Sequence, residues 1–278
     1  METIQAAVLG IIQGLTEFLP ISSSGHLILI PALTKWEYFG KHFDVALHLG
    51  TLISLLIFYR RDIAGFLKNM AEGIAHPEKI KEDQEHRLPW LLIAGVIPAG
   101  IAGILFDDII ETALSKPVFT ASFLIIFGIL LSIADTYSSR LRTTERPDSK
   151  SLSFRDAMII GCAQAVALVP GVSRSGITMT AGMFLGMKKE EAANYSFLLS
   201  IPTIGAVVLY SGLKILKDPL PASSIPIFLI GIAAAGISGY FVVKFLLDFL
   251  KKYSFSLFMY YRITLGLILI GMVIFGAL

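Results

Sequence analysis

The chain has 278 residues, 55% of them hydrophobic and only 16% charged, with a formal net charge of +2 and a mean hydropathy of +0.73. That is too apolar for an ordinary soluble domain, and the small net charge gives no reason to expect nucleic acid as a partner. A single cysteine, Cys162, excludes an intramolecular disulfide.

Taken in chain order, residues 3–16 and 18–34 are apolar stretches flanking Glu17. Glu2 stands where a basic leader segment would be and no Ala-x-Ala site follows, so a cleaved signal peptide is not expected. Residues 44–59 read as a full span, and 60–89 as a basic segment carrying Arg60, Arg61, Lys68, Lys79, Lys81 and Arg87, in which the mixed-charge run 79–87 reads as a solvated loop. Spans at 91–106 and 117–134 enclose an acidic turn, Asp107, Asp108 and Glu111; a second basic stretch, 136–155, holds Arg140, Arg142, Arg146, Lys150 and Arg155. Residues 157–173 and 175–187 flank Arg174, and spans follow at 192–213, 225–243 and 263–278. Most of these runs approach the ~20 residues that cross hydrocarbon as a helix, and no barrel-length alternation recurs. Basic residues accumulate in cytoplasmic loops, which puts 60–89, 136–155, Lys188, Lys189, Lys244, Lys251 and Lys252 inside. Lys35, Lys41, Lys116, Lys214 and Lys217 fall outside.

The two segments centred on Glu17 and Arg174 do not behave as ordinary spans, because a charge at mid-bilayer costs at least ~2.5 kcal/mol. QGLTEFLPISSSG (13–25) and QAVALVPGVSRSG (164–176) share Gln, Ser, Ser and Gly at an offset of 151, which Gly10 with Gly161 and Tyr59 with Tyr210 keep. With the charge rule, the second segment enters and leaves on the cytoplasmic side and the first on the outer side. The expected fold is therefore an all-α polytopic membrane protein: six transmembrane helices plus two re-entrant helical hairpins in an inverted-topology repeat. It is one integral domain, 1–278, with halves of about 1–135 and 152–278.

At each tip a helix stops near Pro20 or Pro170 and another starts at Ser-x-Ser-Gly, so two helix N-termini converge. Such termini favour an anion of the phosphate type, and Arg174 adds a planar cationic fork. Ser22, Ser24, Gly25, Ser173, Ser175 and Gly176 are expected to contact that anion. Gln13 and Glu17, four apart on one helix face, are candidates to hold Mg²⁺ or Ca²⁺ through oxygen. Ser23 is the candidate nucleophile and His26 the candidate acid/base.

QGLTEFLPISSSGH resembles the (Glu/Gln)-x-x-x-Glu motif and the following serine-glycine-histidine of the bacterial undecaprenyl-diphosphatase family, also called bacitracin-resistance protein, and PGVSRSG is similar to its second motif. The resemblance extends in length and hydropathy over the whole chain. It implies hydrolysis of undecaprenyl diphosphate to undecaprenyl phosphate and inorganic phosphate, with a divalent cation, in the bacterial inner membrane and with the site open to the periplasm. Carried over residue by residue, it implies roles for Gln13, Glu17, Ser22, Ser23, His26, Ser173 and Arg174.

Plainer readings stand beside these. Glu17 and Arg174 could be an ion pair tying the hairpins together, and the serines could be caps. His48, mid-span, reads as structural, and His42, His76 and His86 as solvated loop residues. The pairs Gly10 with Gly14 and Ala99 with Gly103 read as close helix packing. The rival functions are a transporter or flippase of a polyprenyl phosphate lipid and a lipid-binding protein without chemistry. The oligomeric state stays open between monomer and homodimer.

Overall fold

The structure is a computed structural model and describes residues 2–141, 151–217 and 221–276. Arg142, Arg146 and Lys150, and the side chains of Asp107, Glu111 and Lys217, lie outside the described residues. The described residues form twelve α-helices in the order α1 (Glu2–Phe18), α2 (Ser23–Thr34), α3 (Lys41–Phe58), α4 (Arg60–Ala75), α5 (Pro77–Glu82), α6 (Gln84–Ile109), α7 (Pro117–Arg140), α8 (Phe154–Val166), α9 (Arg174–Phe184), α10 (Lys189–Lys217), α11 (Ile225–Leu250) and α12 (Ser256–Ile274). No strand occurs among the described residues. Among the described residues six helices, α3, α6, α7, α10, α11 and α12, are long and apolar enough to cross a membrane, matching the six expected spans.

The two halves interlock. α1 packs along α11 of the second half, whereas α8 packs along α6 of the first. Missing side chains permit both contacts. A Cβ on Gly10 would stand 2.5 Å from the Gly231 carbonyl oxygen, and one on Gly161 would stand 2.5 Å from that of Gly95. These are the backbone approaches that small residues allow in apolar surroundings, and they bear out the packing reading of Gly10 and Gly14. Ala99 and Gly103 differ: Gly103 has only a Leu168 methyl near it, and Ala99 lines the cavity described below.

Polar ties gather the ends that the charge pattern assigns to one side. Tyr59 donates to Asn194 Oδ1 (2.8 Å), Ser138 to the Met187 carbonyl (2.7 Å), Lys189 to the Tyr253 carbonyl (2.7 Å), and Asp135 accepts from the Phe255 amide (2.8 Å). The ends of α3, α7 and α11 thus meet the starts of α10 and α12. The run 79–87, expected to be a solvated loop, is largely helical, as is the rest of 60–89, because its mixed charges pair across helices. Glu72 accepts from Lys79 (3.0 Å) and His86 (3.2 Å), His86 also donates to Asp83 (2.6 Å), and Ile80 covers Gly73. His86 is therefore bound on both ring nitrogens and only 12% exposed, not free in solvent. The Lys79 ammonium and the His86 ring N–H, both donating to it, hold the Glu72 carboxyl, at this end of the bundle, down from the ordinary 4.5 to about 2.

Candidate active site between two helix starts

α1–α2 and α8–α9 form helical hairpins whose turns meet. Pro20 and Pro170 cannot supply the amide a continuing helix needs, so both chains leave the helix before them. Each then re-enters helix through a serine in left-handed backbone, Ser22 and Ser173, both with φ of 73°. These serines are 151 residues apart, the offset of the repeat. Each also places its Oγ 3.3 Å from the hydroxyl two residues on, Ser24 or Ser175. Positive φ costs a non-glycine residue of order 1 kcal/mol, and repetition of the same strained turn marks the two sites as copies of one device. At Gly171 (φ 93°) a Cβ would run into the Thr120 carbonyl, so that turn requires glycine.

One side chain fastens both turns. Arg262, on α12 and wholly buried, donates from Nη1 to the Pro20 carbonyl (3.0 Å), from Nη2 to those of Gly171 and Val172 (2.9 Å each), and from Nε to that of Leu124 (3.0 Å). Ser175 adds a direct tie, donating to the Leu19 carbonyl at 3.1 Å. A buried guanidinium is tolerable only when its donors are satisfied, and the carbonyls of the two turns do this.

Between the starts of α2 and α9 lies a cavity of about 200 Å³. Glu17, Ser22, Ser23, Ser24, His48, Ser173 and Arg174 form its polar side; Ala99, Ala167, Leu168, Ile204 and Val207 form an apolar wall. Glu17 is its hub. Oε1 accepts from Arg174 Nη2 at 2.7 Å, and Oε2 accepts from Ser23 Oγ at 2.6 Å and Gln13 Nε2 at 3.1 Å. His48 Nε2 lies 3.5 Å from the same Oε2. Two helix N-termini and Arg174 face the space against one carboxylate, so the cavity favours an anion.

Sequence comparison decides the family. A family model described as bacitracin resistance protein BacA matches residues 6–268. The chain is 44% identical to an undecaprenyl-diphosphatase of Thermomicrobium roseum and 44% identical to one of Geotalea daltonii, each over 99% of the chain and 100% of the relative. It is 45% identical to one of Geobacter metallireducens over 96% of both. The chain belongs to the BacA family.

Among the residues nominated from the BacA motifs, Glu17, Ser22, Ser23, Ser24, Ser173 and Arg174 share the cavity. Gln13 lies one helical turn behind, fully buried and bonded to Glu17. Ser175 and Gly176 support the turns instead of facing the space: the Gly176 amide donates to Ser173 Oγ (3.1 Å), and a Cβ there would stand 3.0 Å from Arg262 Nη1. Gly25 is buried but does not line the cavity, and a Cβ on it would meet only ordinary contacts, so packing does not demand glycine there. His26 does not line the cavity either. Its Nδ1 donates to the Ser22 carbonyl (2.7 Å) and its Nε2 bonds the Tyr261 hydroxyl (2.6 Å), which occupies both nitrogens.

Sequence reasoning passed over three participants. His48, expected to be structural with no partner, sits against Glu17; a polar residue mid-span was the available signal. Arg262 follows the same logic as Arg174, a charge beside an apolar run, but lies at the edge of its run, where an interfacial position explains it equally well. Gln164, the repeat partner of Gln13, lines the cavity wall and accepts from Thr203 (3.2 Å).

Proposed function

We propose that this chain is the membrane phosphatase that hydrolyses undecaprenyl diphosphate to undecaprenyl phosphate and inorganic phosphate, which recycles the lipid carrier of peptidoglycan synthesis and confers bacitracin resistance. One observation carries the chemistry: a serine hydroxyl donating to a buried carboxylate at 2.6 Å, beside an arginine and between two helix N-termini. A transporter needs groups that bind; a paired nucleophile and acceptor at the anion site is what bond breaking needs.

In this reading the terminal phosphate lies against Arg174 and the first amides of α2 and α9. Ser23 Oγ, oriented by Glu17, attacks the terminal phosphorus while its proton passes to the Glu17 carboxylate. The P–O bond to the bridging oxygen breaks and undecaprenyl phosphate leaves; water then cleaves the phosphoserine. The lipid end follows the apolar wall and leaves past Leu168 and Val207, which are 37% and 47% exposed on the outer surface of the helix bundle. A divalent cation fits the donor set, because Gln13, whose amide Nε2 meets the Glu17 carboxylate, has a buried Oε1 without a partner. Gln13 and Glu17 would hold it, and when bound it neutralises charge on the diphosphate. The bacterial cytoplasmic membrane is the assigned location. The hairpins enter from opposite leaflets, and the cavity faces the periplasm.

Purified protein with Mg²⁺ or Ca²⁺ is expected to release phosphate from undecaprenyl diphosphate, and rapid acid quench followed by mass spectrometry to find phosphate on Ser23. Activity at full rate in Ser23→Ala would remove the serine from the mechanism and leave water as the attacking group. Movement of the intact lipid across vesicles with no phosphate released would favour the transporter.

A further inference from the structure

His48 is held from behind. Its Nδ1 lies 2.7 Å from the Asp44 backbone carbonyl, and a carbonyl only accepts, so Nδ1 carries the hydrogen and a neutral ring turns its lone pair out through Nε2. Nε2 faces Glu17 Oε2 at 3.5 Å. That separation is longer than the ~2.8 Å of a charge-assisted hydrogen bond. Two ligands each ~2.1 Å from a common ion are about 3.0–3.4 Å apart at octahedral to tetrahedral angles, close to what is seen. A ligating histidine typically donates its other ring N–H to a carbonyl or carboxylate, which is the Asp44 contact.

Gln13 supplies a third atom. Its Oε1 is fully buried and has no hydrogen-bond partner, so a half-turn of the amide gives up only the 3.1 Å bond to Glu17 and brings the oxygen to the same carboxylate. Among the described residues no three of His, Cys, Asp and Glu converge, and the Gln13 amide oxygen adds a third donor to His48 and Glu17. His26 is unsuited to the task, since both of its nitrogens are engaged by protein groups.

We propose that His48 is a direct ligand of the divalent cation, through Nε2 and together with Glu17 and Gln13. This deepens the phosphatase reading above and rests on its cation. The test is a titration of purified, substrate-free protein with Mn²⁺ alone, followed by electron paramagnetic resonance and its spin-echo modulation, which detects a coordinated nitrogen. One bound Mn²⁺ with nitrogen modulation is expected in the native protein. His48→Ala is expected to lose the modulation and to bind Mn²⁺ about 10–100-fold more weakly, while His26→Ala keeps both. Should His48→Ala fail to fold, His48→Gln retains an oxygen donor and is expected to bind Mn²⁺ without the modulation. Native protein that binds no Mn²⁺ or binds it without modulation, or modulation that survives in either His48 variant, overturns the assignment. Phosphate release is measured on the same samples. Nitrogen-bound Mn²⁺ in a protein that releases no phosphate would sink the phosphatase reading and leave the ligand standing, and the reverse outcome would do the opposite.

Discussion

Replacing Glu17 by glutamine keeps the side chain's shape and removes its charge, which separates two meanings of the Glu17–Arg174 contact. The pair is close (2.7 Å) and shielded, with side chains 6% and 14% exposed. Breaking a buried pair from one side leaves the other charge stranded and costs about 3–5 kcal/mol, whereas removing both charges is often near neutral. Glu17→Gln and Arg174→Gln are therefore each expected to destabilise the protein by about 2–4 kcal/mol, the lower range reflecting the polar atoms that remain, and the double variant to return to within about 1–2 kcal/mol of the native protein. Activity should not follow stability. The Ser23 hydroxyl loses its charged acceptor in Glu17→Gln, a loss of about 10²–10⁴ in rate, and the double variant lacks both the acceptor and the phosphate fork. Thermal unfolding in detergent and phosphate release, measured on all four proteins, form one double-mutant cycle. If the double variant recovers phosphate release to within tenfold of native, the pair is a tie between hairpins and nothing more, and the proposed chemistry at Glu17 fails.

His26 and Tyr261 share one hydrogen bond of 2.6 Å away from the cavity, so His26→Gln and Tyr261→Phe should slow turnover by similar factors, about tenfold or less, for a lost bond worth about 1 kcal/mol; a hundredfold greater loss for His26 alone in single-turnover phosphate release would return the proton-transfer role to it. Gly171→Ala forces a side chain into the Thr120 carbonyl at φ 93° and should cost about 2–5 kcal/mol in thermal unfolding, while Gly25→Ala, whose added methyl meets only ordinary contacts, should cost under about 1 kcal/mol. Glu72, held down to about 2 by Lys79 and His86, adds stability that is complete above its unfolded value of 4.5 and lost as pH falls toward 2. Hydrogen exchange of residues 60–90 should accordingly quicken between pH 4.5 and 2 in native protein, and Glu72→Gln should flatten that dependence with phosphate release unchanged.

The membrane class and the six spans were legible because apolar length is a local property: a run of residues is long enough to cross hydrocarbon or it is not. The basic stretches were legible for the same reason, and the ends they mark do meet in space through Tyr59, Ser138 and Lys189. The repeat was also visible, since copies of one turn keep the same residue types. At its offset of 151 residues, Ser22 and Ser173 have the same φ of 73°. The helices of 60–89 were missed because the charges that stabilise them pair between elements, between Glu72 on α4 and His86 on α6, and a run of mixed signs cannot show which partner folds back.

The sequence by itself determined which groups are available: a carboxylate, serines and an arginine placed where hydrocarbon makes charge expensive. The tertiary structure decided which of them face one another. It gave Ser23 to Glu17, turned His26 away to Tyr261, and brought His48 from a third helix to the carboxylate. The physical reason is direction. Spacing along a helix fixes which side chains share a face, but the partner that each face meets depends on how the interlocked halves pack, and that is set by glycine contacts and by Arg262, far from the motifs in the chain.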